Sequence, residues 1–329
     1  MCIRDSSTTL KSKEESLTHS EKEEINTLAH ALKQRQEAVD DVEILPKVTI
    51  KDIPVKREYT IESFAVNNRS VYEVGTNGLI YSDFLFPCAN LTTQELLYSS
   101  LYAFIITEVG FKDNTYEQIQ ALQSSLTGGI NASFKLHTTS LDSPGQLFLS
   151  ISSKSLDKNF DAMEELILNT LKKARFDEKN RIWDLLNIFI ARNEESLNQN
   201  GHILAMNSAA SSLNAFSASA YQMSGLQMLH QSKAVISKMK KVADANELID
   251  TLQTIHSKII SSPFKIFNAC SPKALTDKTF EFENIESKCE QSLIVPSNEQ
   301  VAWITGSQVC YCAEAFQGVS REDPDAPAL

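Results

Sequence analysis

Residues 114–134 read NTYEQIQALQSSLTGGINASF, and this stretch decides the fold. Ile119, Leu122 and Leu126 recur at helical spacing, which predicts an amphipathic helix over 114–126. Gly128-Gly129 then lets the chain reverse without a Cβ clash. Beyond it Ile130, Ala132, Phe134 and Leu136 alternate with Asn131, Ser133 and Lys135, the period of a half-buried strand.

Immediately upstream, 93–109 is apolar almost all round, as expected of a helix covered on every side. Thr92 and Glu95 form its capping box, and Gly110 is placed to end it at C′. Further upstream lie three strand-like runs. Residues 59–66 and 69–74 are separated by Asn67-Asn68, and 79–86 is closed by Pro87. Downstream, Ser143-Pro144-Gly145 is a turn, and Leu147, Leu149 and Ile151 predict an antiparallel partner strand. The period then becomes helical at Phe160, Met163, Ile167 and Leu171. Long helices are predicted over 177–229, interrupted near Asn200-Gly201, and over 241–260, followed by a strand at 263–270.

Five segments follow: 1–19 without pattern and expected to be disordered or artefactual; 20–46 helix and linker; 47–270 one complete α+β domain; 271–298 a polar connector; and 299–329 an incomplete further domain. In the second, Ser20 with Glu23 is the predicted cap, and Ile25, Leu28 and Leu32 form a thin stripe that must pack on something outside the helix. In the last, Ile304, Val309 and Tyr311 are the apolar positions of a new element.

The 329-residue chain is 42 % hydrophobic, enough for a sizeable core, and carries a net charge of −11. That charge argues against nucleic acid and anionic membrane surfaces, whose phosphates call for clustered Lys and Arg. The longest apolar run, 101–106, is far below the ~18 residues of a membrane span. No signal-peptide core is present near Met1. Six cysteines at 2, 88, 270, 289, 310 and 312 form no small-domain framework, which favours a reducing compartment.

The order of these elements resembles the pitrilysin/insulinase-type zinc metallopeptidases, in particular their presequence-protease branch. The residues that carry the resemblance are the Gln34–Gln36 linker running to Leu45-Pro46, Asp52-Ile53-Pro54 and Thr127-Gly128-Gly129-Ile130. Gly201-His202 with Ala205, Gly225, Ala302-Trp303 to Ala313, and Asp325-Ala326-Pro327-Ala328-Leu329 complete the set. The resemblance implies a metallohydrolase-like α+β domain, a mixed, largely antiparallel sheet with helices packed on it. It also implies half of a clamshell that closes around short unfolded peptides, with zinc held by a His-x-x-Glu-His helix in the other, N-terminal half. Two histidines four apart on one helix face ligate zinc and the glutamate activates its water. Here the histidines stand at 19, 30, 137, 202, 230 and 256, and no such motif can be written. Arg321-Glu322 is followed by Asp323-Pro324, unlike the family's Arg-Glu-x-Gly-Gly-Ala-Tyr context.

The resemblance therefore implies no catalytic, cofactor or metal residue in this chain. Its partners would be an N-terminal catalytic half and short peptides, which an acidic wall would suit if they are basic. Both ends read as truncated, with 1–7 an artefact of an incomplete gene. The compartment would be the bacterial cytoplasm, or an organelle matrix in a eukaryote.

Cys310-x-Cys312 would set two thiols on one face of a strand, as a metal or redox site or as two buried small hydrophobes. His202 reads as a hydrogen-bonded packing histidine, His137 as a solvated strand end, and Trp183 with Leu186 and Ile190 as core. Gly128-Gly129 lacks the Lys and Ser/Thr of a phosphate loop. Asp157, Glu164 and Glu165 read as a solvated face. A non-catalytic partner or scaffold subunit of the same fold is the alternative function, and a metal-binding module at Cys310 and Cys312 a third.

Overall fold

The computed structural model describes residues 11–38, 49–52, 61–66, 68–88, 91–137, 145–238, 245–275, 290–291, 293–296, 302–304 and 309–319. The chain divides into two units, Met1–Tyr59 and Thr60–Leu329.

In the first unit residues 11–16 are helical, where the sequence predicted disorder, and the Ser16 hydroxyl donates to the Lys13 carbonyl at 2.7 Å. Helix α1 (His19–Glu37) follows. Its cap is Thr18 with Glu21, two residues earlier than the predicted Ser20 with Glu23. Thr18 also satisfies the capping-box spacing, and its hydroxyl and backbone N–H both donate to the Glu21 carboxylate. No residue of α1 is buried, and Leu28 is 71 % exposed.

The second unit is α+β. Its strands are β1 (Glu62–Val66), β2 (Arg69–Glu73), β3 (Leu79–Cys88), β4 (Ile130–His137), β5 (Gly145–Leu156), β6 (Lys265–Cys270) and the short β7 (Glu290–Gln291). The sheet order is β1-β2-β6-β3-β5-β4, with β7 on β5. All pairings are antiparallel except β2 with β6. β3 runs two residues past Phe86 because Pro87 and Cys88 stay in register with Phe148 and Leu147.

Alternation along the strands sends Val71, Ile80, Phe84, Phe86, Leu147, Leu149, Ile151 and Ile266 to one face, all essentially inaccessible. Helices α2 (Thr93–Ile106), α4 (Phe160–Lys172) and α8 (Asn246–Ile260) contact the sheet, against β4, β5 and β3 respectively. Helices α5 (Lys179–Ala210), α6 (Ala215–Ser224) and α7 (Leu226–Lys238) pack on α2, which is thereby enclosed. This is why α2 has no polar face: ten of its residues, from Glu95 to Ile106, are buried. Its predicted capping box forms, with the Thr92 N–H donating to Glu95 at 2.6 Å. Lys258 reaches the same carboxylate at 2.7 Å. Burial opposes ionisation of Glu95, but those hydrogen bonds win and hold its pKa below the ordinary carboxylate value.

Gly110 is not the C′ residue. The helix ends at Ile106 with Thr107 as cap, and Gly110 lies three residues further on. Its N–H donates to Glu178 at 2.7 Å, and a Cβ there would overlap the Asn114 carbonyl oxygen. Helix α3 (Tyr116–Leu126) then leads into the double glycine. Gly129 has φ +100°, and a Cβ on Gly128 would lie 2.7 Å from the Lys154 side chain. The pair thus combines a left-handed backbone with a close approach. Helix α5 carries the predicted interruption at Asn200, where φ −118° and ψ 17° leave the helical region.

The segment after β6 has no regular structure over 302–304 and 309–319. The predicted new element does not form there: Ile304 and Phe316 are exposed. Individual side chains dock instead. Tyr311 occupies the space beside Gly201, and the Ile294 N–H donates to Ser219 Oγ at 2.8 Å.

Candidate functional site

The outward face of the sheet is built by the register. One row runs Ala65, Ser70, Phe267, Asp83, Ser152 and Asn131 across all six principal strands. The next runs Ser63, Tyr72, Ala269, Tyr81 and Lys154. Small side chains dominate, so the few large ones stand out as walls. Tyr72 and Tyr81 flank the Ala269 methyl two strand spacings apart, about 9–10 Å, and a cleft of about 370 Å³ opens there, bordered by Phe267 and Asp83.

Asp83 is engaged on both oxygens. Ser150 Oγ donates to one at 2.5 Å and Lys135 Nζ to the other at 3.2 Å. Lys154 turns away along Gly128. The face carries Lys135, Lys154 and Lys265 against Asp83, so the acidic character of the chain is not concentrated here.

Of the other residues singled out from the sequence, His137 shares the outward side of β4 with Lys135. Cys310 and Cys312 are exposed free thiols on an irregular segment, so the predicted strand geometry is corrected. His202 is exposed, its ring 6.2 Å from that of Tyr311, rather than a hydrogen-bonded packing residue. His137 is an exposed strand end, and Trp183 packs against the core. Glu164 is not on a solvated face. It makes a double hydrogen bond, 2.8 Å to each oxygen, with the Arg69 guanidinium, whose side chain is 0 % exposed. Arg69 also donates to Asn268 Oδ1, and Asn268 Nδ2 to Ser82 Oγ at 2.7 Å.

Sequence reading also passed over His256. Its Nδ1 is 2.9 Å from the Tyr102 hydroxyl, and Phe176 meets its ring edge-on at 5.1 Å. Burial lowers its pKa to about 4 and pushes the Tyr102 phenol up.

Among the described residues no group of three or more His, Cys, Asp or Glu could hold a metal ion. No described helix is long and apolar enough to cross a membrane.

Fold and face together define an α+β module, a sheet covered by helices on one side and, among the described residues, open on the other. The chain belongs to the peptidase-associated family of the M16 peptidases, subfamily C, whose sequence profile matches residues 4–234. Its curated relatives put it in the presequence-protease branch of the M16 peptidases. It is 29 % identical over 203 residues to the mitochondrial presequence protease of Yarrowia lipolytica, covering 60 % of this chain and 20 % of that one. It is 26 % identical over 276 residues to the mitochondrial presequence protease of Candida albicans, covering 80 % and 27 %. Among solved structures, a protease from Helicobacter pylori superposes with TM-score 0.43 at 12 % identity, over 73 % of this chain and 53 % of that one. The chain thus spans about a fifth to a quarter of the length of those two curated relatives.

Proposed function

We propose that this chain is the non-metal portion of a zinc metalloendopeptidase that degrades short unfolded peptides in a closed chamber. The observation that carries the reading is the family match over residues 4–234, on a chain that spans 20 % and 27 % of two relatives named as presequence proteases. The open sheet face, with its small residues and the Tyr72–Tyr81 cleft, is the surface that would wall the chamber. Zinc and the general base would belong to an N-terminal half, the chain's principal partner. Residues 20–46 would be the end of the linker between halves, and 299–329 the opening of a further domain. The relatives' names favour an organelle matrix over a bacterial cytoplasm.

The test is reconstitution. Alone, the purified chain is expected neither to cleave an unstructured peptide nor to retain stoichiometric zinc. Mixed with the N-terminal half of a presequence protease, it is expected to restore chelator-sensitive cleavage. Metal-dependent hydrolysis by the chain alone overturns the reading. A mixture that forms a stable complex without cleavage supports the scaffold-subunit alternative instead.

A further inference from the structure

We propose that the outer edge of β4 is a binding site for an extended peptide, which adds to the sheet as a further strand and sets its C-terminal carboxylate on Arg192. β4 is the last strand in the sheet order, and among the described residues β5 is its one strand neighbour. An edge strand presents unpaired N–H and C=O groups, a template for another extended chain.

A groove of about 330 Å³ runs along that edge. Residues 130–134 all line it. Successive residues of a strand point to opposite faces of the sheet, so five in a row can border one groove only along the strand's backbone edge. The facing wall is one side of α2, formed by Ser100, Ala103, Phe104 and Thr107 at the three- and four-residue spacing of a helix face. The volume lies within the range of ligand clefts, about 300–1,000 Å³.

The polar groups of the wall are largely engaged within the chain. Ser100 donates to the Met223 carbonyl at 2.6 Å, the Thr107 carbonyl accepts from Gln123 at 3.0 Å, and Glu108 takes Gln120 and Arg181 at 2.6 and 2.8 Å. Arg192 differs. It is exposed, its guanidinium lies 5.2 Å from the centre of the Phe104 ring, and among the described residues no carboxylate pairs with it. A cation seated on an aromatic ring at the groove's rim is set to receive an anion. A backbone edge plus one cation reads only what every free peptide shares, its amides and its C-terminal carboxylate. That is the recognition a sequence-tolerant peptide handler requires.

The proposal rests on the peptide-handling reading above. It is tested with the full chain and a ten-residue, unstructured Ser/Thr/Val/Gln peptide bearing a fluorophore at its N-terminus. Three companions are a C-terminally amidated twin, an amidated twin with one internal Asp, and a twin N-methylated at alternate amides. Binding is followed by anisotropy, and the contact is located by hydrogen exchange.

The free-acid peptide is expected to slow exchange over residues 130–134. Amidation, or Arg192→Gln, is expected to weaken it about ten-fold, as loss of one charge-assisted bond implies. N-methylation is expected to abolish the protection. Recovery of affinity by the internal Asp would move the anion from the terminus to a side chain and overturn the C-terminal assignment. Equal binding of the N-methylated twin, or protection at Tyr72 and Tyr81 instead of β4, overturns the site. A chain that restores cleavage in trans yet shows no β4 protection rejects the groove alone. Protection of β4 without restored cleavage upholds the groove and rejects the peptidase-fragment reading.

Discussion

Arg69 brings a full charge into the core, and its surroundings are arranged to hold it: two bonds to Glu164, one to Asn268, and the Phe160 ring 5.7 Å from its guanidinium carbon. Removing one member of such a pair leaves the other charged and dry. Arg69→Met is therefore expected to cost about 3–5 kcal/mol in urea unfolding, and the double change Arg69→Met with Glu164→Leu markedly less than that. His256 works in the opposite sense, because burial keeps it neutral. Folded, it titrates near 4; unfolded, near about 6.5. Between these values the unfolded chain binds the extra proton, so stability falls as pH is lowered through that window. The contribution is complete above about 6.5. His256→Gln is expected to flatten this stretch of the pH–stability curve by on the order of 2 kcal/mol, allowing for partial exposure. A variant curve parallel to the parent's would show that His256 is not the group responsible. Neither residue was legible in the sequence. Arg69 lies 95 and 199 positions from its partners and His256 154 from Tyr102, distances at which no local pattern connects them.

At the scale of elements the sequence was far more informative, because the signals there are local. The Thr92–Glu95 cap, the β4 alternation and the break at Asn200 each follow from residues within a few positions of one another. Glycine roles were only half readable. Gly129 shows its left-handed φ through its turn context, whereas Gly110 serves a contact with a chain segment that folds back on it. The two sites are expected to differ on substitution. Gly129→Ala meets open space and pays only backbone strain, about 1–2 kcal/mol. Gly110→Ala drives a methyl into a backbone carbonyl that cannot swing aside, and is expected to lose more, about 2–3 kcal/mol. Thermal midpoints of the two variants measured side by side check the order, and a reversed order would refute the packing argument. The pairing of β2 with β6, which sets Arg69 opposite Ile266, was not legible for the same reason as Arg69.

For the molecule as a whole, the candidate face illustrates the same limit. Its serines, Tyr72 and Tyr81 become neighbours only through strand order, so no motif announced them. The apolar stripe of α1 is the converse, plain in the sequence and exposed among the described residues. Ile25, Leu28 and Leu32 are 50 %, 71 % and 58 % exposed on a helix with no buried residue. Apolar area left in water contributes nothing to holding the native chain together, yet it favours association with any surface that can cover it. Replacing all three by Gln, a good helix former, is therefore expected to leave the urea midpoint of the second unit unchanged within about 0.5 kcal/mol. The same change is expected to reduce concentration-dependent self-association in sedimentation velocity and to weaken complex formation with an N-terminal half supplied in trans. Destabilisation well beyond that margin would show that the stripe is covered within the native chain, and its assignment as an outward-facing contact would fall.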